Sequence, residues 1–350
     1  LSNIVKQYDT SRPVTAGLVA PSVGYVSGYT DTLDIVGFNY RAQEYDIAHK
    51  TYPDKMIYGS ENWGTWPEWK AALDREFIPG IFIWTGFAYK GEAGPMPRMG
   101  LEISLFDFVG NKTARGHFFE TLWVDKPKTY VGTTAAAKSE FSYSKENGWT
   151  WTKRKAPAHI WQELRRWEWY DINEIWQYQH NEQVVVQSYT NTESAELFIN
   201  GKSFGRLRLA DFEDRVIKWL VPFQAGELKV VGYNQGIAVS QDVINTHGEV
   251  AKIALSSENN LLTADGYDTT YIHAQLLDNN NNLVVDSQAN VKFSIEGPAE
   301  LVVVDNGWEM NTQDVLADNV NSYKGKAAML LKTTDKAGDI VITATSNKNI

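Results

Sequence analysis

Residues 33–40 read LDIVGFNY, residues 55–60 KMIYGS and residues 78–87 IPGIFIWTGF. Each is an almost unbroken apolar run, the pattern of a strand buried on both faces. Upstream, Leu1, Ile4, Val5 and Tyr8 recur at helical spacing and lead into RPVTAG at 12–17, a first short strand. Between the last two strands lies TWPEWKAALDREF at 65–77. There Thr65 and Glu68 make a capping box, Pro67 suits a first helical turn, and Trp69, Leu73 and Phe77 share one face. Helices alternating with strands that end on polar residues predict a parallel α/β sheet or barrel up to about residue 125.

Beyond about residue 126 the period changes from helical to alternating. VVVQSYT (184–190), AELFINGKSFGRLRL (195–209), RVIKWLV (215–221) and ELKVVGYN (227–234) are short strands joined by turns. Asn200-Gly201 is a strong signal for a two-residue type I′ hairpin. THGEV, around residue 248, reads as a linker. A second series then follows: KIALSS, TTYIHAQLLD, NLVVD, VKFSIEG, AELVVVD, AAMLLKTT and DIVITATS, with DNNNN (278–282) as a polar hairpin tip. Two β-sandwiches are expected, over residues 126–248 and 249–350.

Composition narrows the function. At ~100–200 residues per domain, 350 residues make two or three domains. The net charge of −10 argues against a nucleic-acid partner, because phosphate binding needs clustered Lys and Arg. No apolar run reaches the ~18 residues that would span a membrane, so no membrane partner is expected. The absence of Cys removes disulfides and thiolate chemistry. The chain starts at Leu1 in a helical segment, without the basic start and apolar core of a signal peptide, and reads as the middle of something larger.

Several motifs fail on inspection. Gly201-Lys202-Ser203 resembles the end of a phosphate loop, but Glu196 stands where the first Gly belongs and the context is a hairpin. The six His are scattered, so neither a metal site nor a Ser-His-Asp set is expected, and no cofactor is called for. Glu61 stands apart. In MIYGSENWGTW (56–66) a buried strand runs into an acid, with Trp63 and Trp66 close behind. An isolated acid at a strand end is most simply a surface cap. Here, however, Trp84 ends the next strand, and Asn39 and Tyr40 end the preceding one. A carboxylate, an aromatic plate, an amide and a phenol suit a sugar, whose C–H face stacks on rings while polar groups hold its hydroxyls.

GSENWG, IFIWTGFAYKGE and DIVGFNYR resemble the last strands of the catalytic barrel of glycoside hydrolase family 2, the β-galactosidase and β-glucuronidase family. SLFDFVGNKTARGHFFETLW resembles the segment closing that barrel. AELFINGKSFG with LKVVGYNQGIAVSQDVINTHGE is similar to the immunoglobulin-like domain behind it, and LVVVDNGWEM to a further C-terminal sandwich. The resemblance implies the C-terminal half of a TIM (β/α)8 barrel over residues 1–125, followed by two immunoglobulin-like β-sandwiches. It implies a retaining, exo-acting β-glycosidase, β-galactosidase-like, periplasmic or secreted, acting on a β-glycoside or oligosaccharide. Glu61 would be the nucleophile and Tyr40 would orient it. Trp84 would floor the sugar subsite, with Asn39, Trp63 and Glu92 as further substrate contacts. Two positions depart from the family's WTGFDYLGE run: Ala88 stands for Asp and Lys90 for Leu.

A retaining hydrolase needs a second carboxylate about 5–5.5 Å from the first. In the family it follows Asn at the end of the fourth barrel strand. The Asn-Glu pairs here, Asn173-Glu174 and Asn181-Glu182, lie in the β region and read as solvated turns. The acid/base is therefore expected in a missing N-terminal part of the same enzyme, and this chain alone is expected to be inactive. A homo-oligomer is a further possible partner. The competing readings are a non-catalytic carbohydrate-binding or adhesion protein with a degenerate barrel, and sandwiches that serve only as spacers or dimer contacts.

Overall fold

The computed structural model describes residues 1–91, 96–101, 103–152 and 169–347, and these are mostly β-strand with few helices. They form two compact units, one built on Leu1–Gly86 and one starting at Phe87.

In the first unit helices α1 (Ser2–Tyr8), α2 (Pro21–Val26), α3 (Tyr45–Thr51) and α4 (Trp66–Leu73) alternate with strands β1 (Gly17–Leu18), β2 (Ile35–Asn39), β3 (Met56–Trp63) and β4 (Ile81–Trp84). The sheet order is β1-β2-β3-β4, and every pairing is parallel. The apolar runs fill the core as their pattern demands: Val36, Phe38 and Ile57 are buried against Tyr45 and Ala48 of α3. The strand expected over 12–17 shortens to Gly17–Leu18: Pro13 has no N–H to give a ladder, and the Val14 N–H donates to Asp34 Oδ2 at 2.7 Å instead. The capping box is not formed as expected, because the Thr65 side chain makes no cap. Glu68 instead accepts a 2.8 Å hydrogen bond from Asn62 Nδ2, whose buried amide needs a partner more than a solvated helix end does. Leu73 is solvent-exposed rather than facing the core. Phe77 lies past the helix end and stacks on His49 with ring centroids 4.0 Å apart.

The second unit opens with loops and α5 (Ala114–Trp123), capped by Thr113, whose hydroxyl accepts from Gly116 N. Phe118 of this helix meets Tyr189 edge-on at 5.5 Å. Next come β5 (Thr129–Ala135), the β6 (Phe141–Ser144) and β7 (Gly148–Trp151) hairpin, β8 (Gln183–Thr190), β9 (Ser194–Ile199), β10 (Lys202–Arg208), β11 (Val216–Pro222), β12 (Glu227–Asn234) and β13 (Ile237–Asn245). A four-stranded sheet, β10-β9-β12-β13, faces a three-stranded one, β11-β8-β5. Their inner residues, among them Val186, Leu197, Ile217 and Trp176, form one core. Asn200 and Gly201 take φ of 49° and 78°, the left-handed pair that a type I′ hairpin requires.

The second sandwich repeats the plan with β14 (Lys252–Ser257), β15 (Thr269–Leu277), β16 (Asn290–Glu296), β17 (Ala299–Asp305), β18 (Asn319–Asn321), β19 (Lys326–Thr333) and β20 (Val341–Ser346). Its sheets are β14-β15-β19-β17 and β18-β16-β20. NLVVD, expected as a strand, makes only an isolated bridge between Leu277 and Leu283. The Asp278 carboxylate accepts from Asn280 N, Asn282 N and Gly248 N, each at 2.8 Å, so this stretch follows a tight turn instead of pairing at length.

Candidate active site

The register around Glu61 is irregular. Phe38 pairs with Gly59, but the next residue, Asn39, pairs with Glu61, so Ser60 is an extra residue in β3. On the other side Gly59 pairs with Ile81 and Asn62 with Ile83, again one residue more in β3 than in β4. A bulge of this kind redirects side chains and is common beside active sites. Ser60 and Glu61 are consecutive yet both half-buried, and then Asn62 and Trp63 are both buried. The bulge abolishes strict in-and-out alternation where the acid stands.

Tyr40 holds Glu61 twice. Its backbone N–H donates to Glu61 O at 2.7 Å, and its hydroxyl donates to Glu61 Oε2 at 2.7 Å. To do both it adopts φ of +57°, a left-handed conformation that is strained for a residue with a large side chain. Its ring also lies 4.4 Å from that of Trp63, centroid to centroid. Among the described residues Oε1 of Glu61 makes no hydrogen bond. One carboxylate oxygen is thus anchored and the other is unengaged.

A polar network supports the strand end. Ser60 Oγ donates to Asn39 Oδ1 at 2.8 Å. Asn62 Nδ2 donates to Tyr45 Oη at 3.1 Å and to Glu68 Oε2 at 2.8 Å. Burial pushes the Tyr45 phenol up to about 12, so it stays a neutral hydroxyl. Position 59 must be Gly here, because a Cβ would run into Asn62 Oδ1 and Tyr45 Oη. Sequence reading missed Ser60, Asn62, Tyr45 and Glu68. The available signal was a buried Asn three residues after a strand Gly, followed by an acid in the next helix's first turn.

The other expected residues fall as follows. Asn39 ends β2 and Trp84 ends β4, while Trp63 ends β3 opposite Trp84 in the ladder. Asn39, Tyr40, Glu61 and Trp63 are brought together by the contacts above. Trp84 is half-buried at the same end of the sheet, level with Trp63, two residues beyond Glu61. Glu92 lies outside the described residues. Glu174 sits near His117, with Oε1 3.7 Å from Nε2, in the second unit. Among the described residues no group of His, Cys, Asp and Glu could hold a metal ion.

Comparison with known proteins finds its similarities among the glycoside hydrolases. Residues 253–349 match the family model "Glycoside hydrolase family 2 C-terminal domain 5", and residues 181–240 match a domain of unknown function (DUF4982). The β-galactosidase BoGH2A of Bacteroides ovatus is 26% identical over 99% of this chain and 42% of its own length. A putative β-glucuronidase of Formosa agariphila is 26% identical over 79% of the chain and 24% of its own. A crystal structure of a glycosyl hydrolase family 2 member from Bacteroides cellulosilyticus superimposes with a TM-score of 0.84 at 29% identity, covering 99% of this chain and 44% of that one. The chain is similar to the C-terminal portion of glycoside hydrolase family 2 members, and it spans less than half the length of these relatives.

Proposed function

We propose that this chain supplies the nucleophile-bearing part of a retaining, exo-acting β-glycosidase, β-galactosidase-like in substrate, with Glu61 as nucleophile. The observation that carries the reading is the Tyr40–Glu61 hydrogen bond, which pins Oε2 and leaves Oε1 unengaged. In this reading Oε1 attacks the anomeric carbon as the bond from that carbon to the leaving oxygen breaks. A glycosyl ester forms on Glu61, and water then hydrolyses it. Tyr40 positions the carboxylate, the buried Trp63 packs against the Tyr40 ring, Trp84 lines the sugar's apolar face, and Asn39, held by Ser60, meets its hydroxyls.

The four parallel strands are then the last four of an eight-stranded β/α barrel, whose active sites sit at the strands' C-terminal ends. The proton for the leaving oxygen comes from a carboxylic acid in the part of the whole protein that the relatives have and this chain does not span. General acid help is worth ~10²–10⁴-fold, so the chain alone turns over no glycoside at a useful rate. The substrate is a β-glycoside, and the similarity to the β-galactosidase BoGH2A favours a galactoside. The test is Glu61→Gln in the whole protein, assayed on nitrophenyl glycosides. Turnover should fall by more than about 10³-fold while substrate binding stays within a few-fold. Unchanged turnover would place the nucleophile elsewhere.

A further inference from the structure

In one turn of the second sandwich the usual order of burial is inverted. Asp305, Asn306, Glu309 and Asn311 are buried, whereas Trp308 between them is 38% exposed. Buried polar groups and exposed large rings are the two burial observations that call for a cause. The polar groups make the turn rigid. Asp305 Oδ1 accepts from Asn306 N at 2.7 Å, Gly307 N at 3.1 Å and Asn311 Nδ2 at 3.1 Å. Asn306 Oδ1 accepts from Trp308 N at 3.0 Å, and Asn306 Nδ2 donates to Asn321 O at 2.8 Å.

The same turn grips the segment that follows β4 in the chain. Lys90 Nζ reaches Asp305 Oδ2 at 2.9 Å, Arg98 reaches Glu309 Oε1 at 2.9 Å, and Met99 N donates to Glu309 O at 2.7 Å. Lys90, which stands where the family's run has Leu, thus has its partner in the second sandwich. Two charge-assisted contacts with mostly buried acids are strong enough to hold the turn in one position.

The exposed ring is itself braced. Trp308 stacks on Tyr323 with centroids 5.2 Å apart and planes 17° from parallel. Lys324 Nζ sits 5.3 Å from the Tyr323 ring. The indole is thus stacked on Tyr323 and still 38% exposed. A rigid aromatic plate braced by a second ring is built to receive the C–H face of a pyranose. We propose that Trp308, backed by Tyr323 on a turn locked by its own buried polar groups, is a sugar-stacking platform for a pyranose of an oligosaccharide that is not the one cleaved. This extends the carbohydrate chemistry proposed above to a second contact, and its test does not depend on turnover.

The experiment measures binding of cello-, xylo- and galacto-tetrasaccharides to the whole protein by calorimetry, in a Glu61→Gln background so that no ligand is consumed. Trp308→Ala should weaken binding of at least one of them by about tenfold, and Trp308→Phe should recover most of it. Affinity for a methyl monosaccharide glycoside, too small to reach two contacts, should be unchanged. The thermal midpoint of Trp308→Ala checks that the fold is intact. Equal tetrasaccharide affinity in a folded Trp308→Ala protein overturns the platform. So does a loss of the same size for monosaccharide and tetrasaccharide, which marks a structural effect. Residual turnover in Glu61→Gln would instead count against the nucleophile assignment and leave the platform standing.

Discussion

In the first sandwich Trp176, Val184, Leu197, Ile217 and Leu228 are all fully shielded from solvent, and every strand of both sheets contributes to one core. In the parallel unit only the centre is filled in this way. None of the residues of α1 or α4 is buried, and Leu1, Ile4, Tyr8, Val26, Leu73 and Phe82 are each more than half exposed. Both regions carry the periodic apolar pattern that predicts their elements. The pattern is spent inside the sandwiches, whose two sheets cover each other. In the parallel unit much of it faces solvent, and the unit holds its sheet together by one helix-packed core and the polar network under Glu61. Local periodicity therefore predicts elements well and says little about whether a unit is closed.

The largest effect should come from breaking the closed side. Trp176 is fully buried and donates its indole N–H to Gln224 O at 2.9 Å. Trp176→Ala should cost about 3–5 kcal/mol in urea unfolding, while Leu73→Ala on exposed α4 should change it by less than about 0.5 kcal/mol. Comparable costs at the two positions would break the contrast.

Next in size is a pH effect at the seam of α5 and the first sandwich. Burial drops the His117 imidazole from 6.5 to about 4, against the pull of Glu174 and Glu120, and the ring stacks on Tyr130 at 4.3 Å. Folding therefore keeps this His neutral where the unfolded chain would charge it. The resulting stability is complete above pH 6.5 and is lost as pH falls toward 4, by up to about 3 kcal/mol. Urea midpoints at pH 7 and pH 4.5 measure it. His117→Phe, which keeps a stacked ring, should flatten the dependence, and an unchanged slope in that variant would assign the loss to other groups.

Much of this was legible in the sequence, for a physical reason that also marks the limit. Residues 35–39, 56–63 and 81–84 are strands because apolar runs of that length leave little alternative, and Asn200-Gly201 turns because both residues tolerate positive φ. The strands β5 and β13 were not read, since Thr, Gly and Ser dilute their apolar alternation, and β18 was not read because its NVN offers a single apolar residue. NLVVD was over-read because one Asp, four residues upstream of Asn282, redirects the chain. At the site, the strand-end acid and its aromatic neighbours were visible. The bulge at Ser60 and the Asn62–Tyr45–Glu68 network were not, because a register shift depends on the neighbouring strands and leaves no local signal.

That Asp makes the third prediction. Burial works against ionised Asp278, but backbone N–H groups of Gly248, Asn282 and Asn280 outweigh it and hold the carboxyl at about 2. Its contribution is present above the ordinary 3.8 and is lost as pH falls toward 2. Asp278→Ala should cost about 2 kcal/mol in the second sandwich, because three backbone donors lose their partner. A loss spread equally to the first sandwich, read by hydrogen exchange, would mean that the two sandwiches open as one unit rather than separately.

The smallest effect concerns α1, where Ile4 is 54% exposed on a helix with no buried residue. In the chain alone Ile4→Ser removes little from contact, so its stability should stay within about 0.5 kcal/mol. The relatives extend over more than twice the length matched here, and in the proposed reading their remaining barrel strands and helices would cover this face. There the same substitution should act as a core mutation and cost about 2 kcal/mol or more, since burying an Ile side chain is worth roughly 1.5–3 kcal/mol. The pair of measurements turns an exposed helix into a gauge of closure. A small change in the chain and a larger one in the whole protein would show that the parallel unit is completed by the rest of the molecule. Small changes in both would mean that α1 stays on the surface even there, and the half-barrel reading would have to place its missing walls elsewhere.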